Sequence, residues 1–162
     1  MEGKNKSKPR AILVFGAPKS GKTTFCEKFS AQFRAPFFNL AELQEQSKLT
    51  RKHILIIIEQ LAKTGQTLIF EGGINTEKER REIRNILVRA GYQPALVWIQ
   101  TDQNTLKSRM REDYRTAAEA KSAFDEKVKK IEAPAEAESP IVLSGKHTYA
   151  TQLKHVLTNL AK

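Results

Sequence analysis

Apolar positions fall in short blocks along this chain, strand-like runs alternating with helix-like stripes. Ala11-Ile12-Leu13-Val14-Phe15 is a continuous apolar run, as expected of a strand buried on both faces of a parallel sheet, and Thr23 to Phe29 reads as the helix that follows it. Pro36-Phe37-Phe38-Asn39 gives a short second strand. Thr50 caps a helix from Arg51 to about Thr64 that Gly65 ends; the run Ile54 to Ile58 also suits a strand, but the cap, the length and Leu61 favour a buried helix. Thr67 to Glu71 is the third strand. Thr76 and Glu79 form a capping box for a helix whose Ile83, Ile86, Leu87 and Ala90 share one face before Gly91 stops it. Ala95 to Gln100 is the fourth strand, with Trp98 read as core or strand-face packing rather than a base-stacking platform. Asp102 or Thr101 caps a helix containing Leu106 and Met110, and Phe124, Val128 and Ile131 mark another. Ile131 to Pro140 reads as a linker, Ile141 to Ser144 as a fifth strand, and Leu153, Val156, Leu157 and Leu160 as the stripe of a last helix. The alternation predicts an α/β fold of three layers, a central five-stranded parallel sheet flanked by helices. It divides into a basic N-terminal tail, 1–10, and a single domain, 11–162.

Composition narrows the classes. A chain of 162 residues with 40% apolar content buries one core and has no room for a second catalytic domain. Its longest unbroken apolar runs are five residues and its start is charged, so neither membrane insertion nor secretion is indicated, and a cytoplasmic setting with no membrane partner is expected. The lone Cys26 cannot form an internal disulfide and reads as a small buried hydrophobe. His53, His147 and His155 lack zinc-ligand spacing. A net charge of +10 attracts polyanions and makes nucleic acid a candidate partner. The basic residues are nevertheless spread over the tail (Lys4, Lys6, Lys8, Arg10), Arg51-Lys52, Arg80-Arg81-Arg84, Lys107 to Arg115 and the last helix, as on a solvated face.

One motif ties the chain to nucleotide chemistry. Gly16-Ala17-Pro18-Lys19-Ser20-Gly21-Lys22-Thr23, followed by Thr24, matches the phosphate-cradling loop G-x-x-x-x-G-K-[ST], and it sits between a strand and a helix as that loop requires. Its glycines let successive N–H groups point inward, the helix N-terminus adds partial positive charge, Lys22 reaches the outer phosphates and the Thr23 hydroxyl can ligate magnesium. A Gly-rich turn capping an ordinary helix would leave the Gly-Lys-Thr order without a reason. Phosphoryl transfer further needs an acidic group and cations over the moving phosphoryl. Glu71 ends the third strand before Gly72-Gly73, at the carboxyl edge of the sheet, where it can hold magnesium or accept a proton. The bland alternative is a glutamate capping its loop. Lys107 to Arg115 is a cationic group suited to a lid, with Arg109 and Arg115 meeting one ligand only if the helix breaks between them. Arg111 and Arg115 at i, i+4 also suit a salt-bridged surface.

With that loop, the Phe70-Glu71-Gly72-Gly73 segment running on to Arg80, the strand and arginines from Leu96 to Arg115, and the Phe124 to Pro140 segment, the chain resembles the small P-loop kinases of the polynucleotide-kinase-like and zeta-toxin-like group. The resemblance covers nearly the whole length. It implies an ATP-dependent kinase that passes a γ-phosphoryl to an acceptor hydroxyl, on a nucleic acid, nucleotide or small molecule, with ATP and Mg2+ bound. It assigns triphosphate and magnesium to Lys22, Thr23 and Glu71, a lid to Arg109 and Arg115, and the neighbourhood of adenine to Gly145-Lys146-His147. Two positions depart from the pattern. Ala41 stands where such kinases carry the aspartate that deprotonates the acceptor, leaving Glu42 as the substitute, and Ile74 stands where asparagine is frequent. The first departure keeps open an alternative, a nucleotide-dependent switch or binding module without efficient transfer. A guanine-specifying Asn-Lys-x-Asp is absent.

Overall fold

The computed structural model describes residues 7–162, so the lysines at 4 and 6 of the expected tail lie outside the described residues. Five strands form one parallel sheet: β1 (Arg10–Phe15), β2 (Phe37–Asn39), β3 (Leu68–Glu71), β4 (Gln93–Gln100) and β5 (Ile141–Ser144), in the order β2-β3-β1-β4-β5. The helices are α1 (Lys22–Phe33), α2 (Leu40–Ser47), α3 (Arg51–Ala62), α4 (Glu77–Arg89), α5 (Gln103–Arg111), α6 (Ala117–Val128) and α7 (Tyr149–Leu160). Val14 lies beside Glu71, Phe15 beside Trp98, and Gln100 beside Ser144, so all five carboxyl ends open on one edge. This is the three-layer fold the alternation predicts.

Strand alternation assigns the two faces. Leu13, Phe15, Leu68 and Phe70 pack with Ile54 and Ile58 of α3 and with Ile83 and Leu87 of α4. Ile12, Val14, Ile69 and Val97 pack with Phe25 and Phe29 of α1 and Val156 of α7. By the same alternation Glu71 points to the face of Ile69, where α1 begins. A third cluster, Leu106, Met110 and Phe124, joins α5 to α6 into a small unit of its own beside the sheet.

Several expectations change in detail. The sheet begins at Arg10, one residue into the expected tail, and Arg10 reaches the Leu160 carbonyl at 2.6 Å. α2 was not legible as a helix; Asn39 caps it by accepting the Glu42 N–H at 3.1 Å. Of the two caps offered for α5, Asp102 takes the Thr105 N–H at 2.9 Å, while Thr101 donates to the Ser20 carbonyl. Ala90 and Leu157 face solvent rather than the core, and Ile131 lies beyond the end of α6. Ala90 and Ile131 fall where their helices have already ended, whereas Leu157 lies inside α7, just off the face that buries Val156.

The segment 131–140 is not a free linker. Glu132 donates its N–H to the Asn75 carbonyl at 2.8 Å, and a 3-10 turn at Glu136–Glu138 brings Glu138 to Arg80. Arg80 is buried, and its guanidinium lies 4.9 Å from the Phe15 ring centroid. It donates to both Glu138 oxygens and to the carbonyls of Ile74, Asn75 and Glu132. Ile74, the second departure from the kinase pattern, is a fully buried core residue whose carbonyl serves this clasp.

Candidate functional site

The loop from Gly16 to Thr23 leaves the end of β1 and turns directly into α1. Gly21, at φ 99°, occupies the helix N-cap, and Lys19 is also left-handed at φ 64°. Gly16 has no alternative, because a Cβ there would overlap the Ile99 carbonyl oxygen of the neighbouring strand. Lys22 Nζ donates to the Ala17 carbonyl at 2.8 Å, across the loop. Burial pulls the Lys22 pKa below its usual value, and Glu71 partly opposes that shift.

Thr23 and Glu71 meet although 48 positions separate them: the Thr23 hydroxyl donates to Glu71 Oε1 at 2.8 Å. Glu71 Oε2 and the Ser20 hydroxyl are both buried with no partner among the described residues. Buried oxygens normally find partners, so these two mark a place built for further polar atoms. A hydroxyl and a carboxylate side by side at the head of a phosphate loop are a hard-oxygen donor set fitted to Mg2+. No group of three His, Cys, Asp or Glu side chains capable of caging a metal occurs among the described residues; a loop site of this kind instead relies on phosphate oxygens for its remaining ligands.

Burial, the largest cause, raises the Glu71 pKa above its ordinary 4.5, against the lowering effects of Thr23 and Lys22. A carboxyl whose folded pKa is raised favours the fold below its unfolded pKa, and that contribution is lost as pH rises through the folded value. Glu71→Gln, which resembles the protonated form at every pH, is therefore expected to stabilise the protein by about 1 kcal/mol at pH 7.5. The gain should vanish near pH 4, where the native carboxyl is itself protonated; thermal melts at the two pH values check both halves.

The turn after β3 is braced from outside. Gly72 and Gly73 have φ of 73° and 65°, and a Cβ on Gly72 would come within 2.9 Å of Ala41 Cβ. Arg51 holds the turn by donating to the Gly73 carbonyl, to the Glu79 carbonyl at 3.1 Å and to Glu82 at 3.0 Å. Its sequence position among scattered basic residues gave no hint of this.

Two cavities flank the loop. One, of about 480 Å³, is bounded by Pro18, Lys22 and Glu71 on the loop side, by Glu42 and Glu45 of α2, and by Lys127 and Lys130 at the end of α6. The other, of about 340 Å³, is bounded by Gly21, Thr24, Arg109, Gly145, His147 and Tyr149. Gly145 has to be glycine, since a Cβ would overlap both the Ser20 carbonyl and the Thr101 hydroxyl. Gly145→Ala is expected to destabilise the fold by about 1–3 kcal/mol through overpacking and to weaken binding of a fluorescent ATP analogue, measured by melting and titration on the same sample. A third cavity, about 670 Å³, lies between Trp98, Val142 and the α5–α6 unit; Ala17 of the loop and Lys146 border it, while Lys22 and Glu71 do not.

The expected residues are therefore placed unequally. Lys22, Thr23 and Glu71 converge, and Glu42 stands on the wall of the same cavity as Lys22. Arg109 lies against the loop, donating to the Lys19 carbonyl at 3.0 Å, and the Lys19 ammonium pairs with Asp113 at 2.5 Å, so the start of the lid is fastened to the loop at two points. α5 ends at Arg111, which supplies the break expected between the two arginines. Arg115 is exposed, has no hydrogen bond or ion pair among the described residues and borders neither flanking cavity. Lys146 turns away from the 340 Å³ cavity to pair with Asp102 at 2.5 Å. That ammonium and the Thr105 bonds hold the Asp102 carboxyl well below the usual carboxylate range. Cys26 is fully buried, and burial pushes its thiol pKa far up, which suits packing and not nucleophilic chemistry. Missed in the sequence were Arg51, Lys127 and Lys130, which tertiary folding alone brings to the site.

The sequence profile of a family described as AAA domain matches residues 12–137. No curated protein matches in sequence. Among solved structures, a gluconokinase from Sinorhizobium meliloti 1021 superposes with a TM-score of 0.68 at 17% identity, covering 96% of this chain and 94% of its own. The Mycobacterium tuberculosis APS kinase CysC, in complex with AMPPNP and APS, gives 0.68 at 14% identity over 96% and 99% of the two chains. Kti12 of Chaetomium thermophilum, in complex with ADP-AlF3, gives 0.71 at 15% identity over 93% and 97%. At these identities the likeness is one of fold.

Proposed function

This chain belongs to the AAA-domain family, whose profile spans its loop, Glu71 and the lid, and from that premise we propose that it is a small ATP-dependent kinase acting on an acceptor hydroxyl. Within the family we place it with the polynucleotide-kinase-like and zeta-toxin-like group. The observation that carries the reading is the Thr23 hydroxyl bonded to Glu71 Oε1 at 2.8 Å, beside Lys22, with the second carboxylate oxygen buried and free. That a gluconokinase and an APS kinase share its fold supports the same choice.

In this reading the loop amides and Lys22 hold the β- and γ-phosphates, with the nucleoside toward the 340 Å³ cavity and the acceptor in the 480 Å³ one. Thr23 and Glu71 hold Mg2+, which when bound neutralises the phosphate oxygens. The acceptor oxygen forms a bond to the γ-phosphorus as the bond from that phosphorus to the β–γ bridging oxygen breaks; ADP departs, and the hydroxyl proton passes to Glu42. Arg109, already against Lys19, brings the lid's positive charge to the phosphates. Glu42 is positioned by the start of α2, where Asn39 caps its N–H and Gln46 donates to its Oε1 at 2.8 Å, so Ala41 leaves no gap in the chemistry.

We take the acceptor to be a small compound rather than a polynucleotide, because Glu42 and Glu45 oppose the attraction that Lys127 and Lys130 would offer a phosphodiester chain, and because a gluconokinase and an APS kinase share the fold. Incubation with γ-labelled ATP and Mg2+ against 5′-hydroxyl oligonucleotides, nucleosides, sugars and hydroxy acids tests the proposal. A labelled product supports it. ATP binding with no transfer to any acceptor would replace it with the nucleotide-switch reading.

A further inference from the structure

The acceptor cavity carries two oppositely charged pairs that the kinase reading does not use in full. Glu42 and Glu45, three residues apart on α2, and Lys127 and Lys130, three residues apart where α6 ends, all line it. At that spacing the two glutamates share one face of α2, whereas Lys127 lies in the last turn of α6 and Lys130 in the turn that follows it. The two pairs do not close on each other: no ion pair joins any of these glutamates to either lysine among the described residues. Lys130 makes only a loose contact of 3.8 Å with exposed Glu126 on its own side, and Glu42 accepts from Gln46 on its own side. Asn39 and Asn75 add neutral polar groups at the rim.

With Lys22 and Glu71 given to the phosphates and the metal, the four remaining charges around the cavity discriminate among occupants. A neutral polyol would take water from all four and return no charge to any. A purely anionic acceptor meets the lysines but is repelled by the glutamates, and a purely cationic one has the reverse problem. A molecule with separated opposite charges satisfies both pairs at once. With Glu42 engaged by the reacting hydroxyl, Glu45 is left for a cationic group and Lys130 for an anionic one. The Lys127 charge acts on Lys22, helping to lower its pKa.

Resting on the kinase reading for the position of the hydroxyl, we propose that this cavity selects a small zwitterionic acceptor, a hydroxyl compound bearing both an ammonium and a carboxylate or phosphate. The ammonium sits against Glu45, the anionic group against Lys130, and the hydroxyl toward Glu42 and Lys22.

A matched set of ligands tests this by binding, separately from turnover. L-Serine, L-homoserine and 5-hydroxynorvaline are compared by calorimetry, on protein saturated with Mg2+ and a non-hydrolysable ATP analogue, with 4-hydroxybutanoate, which lacks the ammonium, 3-aminopropanol, which lacks the carboxylate, and 1-propanol, which lacks both. At least one zwitterion is expected to bind tenfold or more tightly than every half-charged analogue. Lys130→Met should erase its advantage over 3-aminopropanol, and Glu45→Gln its advantage over 4-hydroxybutanoate, each with affinity for the ATP analogue intact. Equal binding across the set, no binding by any zwitterion, or a preference that survives both substitutions would overturn the inference. The kinase reading fails by a different sign: a zwitterion that binds as expected yet yields no phosphorylated product by mass spectrometry after incubation with ATP.

Discussion

Replacing Lys22 with alanine is expected to lower phosphoryl transfer about a thousandfold or more while leaving the fold intact. Removing one preorganised charge from a developing transition state typically costs on the order of 10²–10³, and cations acting on a transferring phosphoryl group reach 10³–10⁵. Lys22 is placed for such a role: it heads α1, and its one side-chain bond among the described residues is to the Ala17 carbonyl within the same loop. The fold has little to lose with it, since burial already works against its charged form. Single-turnover transfer of labelled phosphate, measured beside a thermal melt, separates the two effects. Equal turnover by the native protein and the variant would refute the assignment.

The second large effect is on stability. Arg80→Met is expected to cost about 3–5 kcal/mol, the usual result of removing one partner from a buried ion pair, which for a chain of this size is a fall in melting temperature of roughly 6–20 °C. The reason is visible in the bonds it would break. Five donor contacts go to Glu138 and to three backbone carbonyls, and without them the buried Ile74 carbonyl and the half-buried Glu138 carboxylate lose their partners. The pair need not be stabilising overall for this to hold. A double variant, Arg80→Met with Glu138→Leu, should recover part of the loss, because no unpaired charge then remains. Chemical denaturation of the two single variants and the double variant measures the coupling.

What could be read from the sequence was whatever depends on near neighbours. The phosphate loop is eight consecutive residues whose backbone demands are local, and a strand ending in Glu71-Gly72-Gly73 announces a side chain delivered to the sheet edge. The capping box at Thr76 and Glu79 formed as its spacing required. Illegible were contacts set by how distant segments return. Lys127 and Lys130 lie more than a hundred positions from Lys22, at and just past the end of a helix whose direction depends on the lid core of Leu106, Met110 and Phe124. Arg80 was visible as one of three arginines in a charged stretch and as the end of the segment that carries the kinase resemblance, with no sign that it is buried, and its partner Glu138 only as part of an apparent linker. Lys146 shows the finest limit: its loop was placed beside the nucleotide side of the site, but a tight turn sends neighbouring side chains in different directions, and Asp102 captured this one.

The strand order β2-β3-β1-β4-β5 carries a consequence for how the molecule is made. β1, the apolar strand that ends in the phosphate loop, is the first element completed, yet its partners β3 and β4 begin at Leu68 and Gln93. At about 5–20 residues per second of ribosomal elongation, some seconds pass in which Ile12, Leu13 and Val14 have no strand to pair with. Those residues are fully or almost fully buried in the finished protein. The interval makes the nascent chain a substrate for chaperones that recognise extended apolar segments, and it makes assembly of the sheet slower than formation of any helix around it.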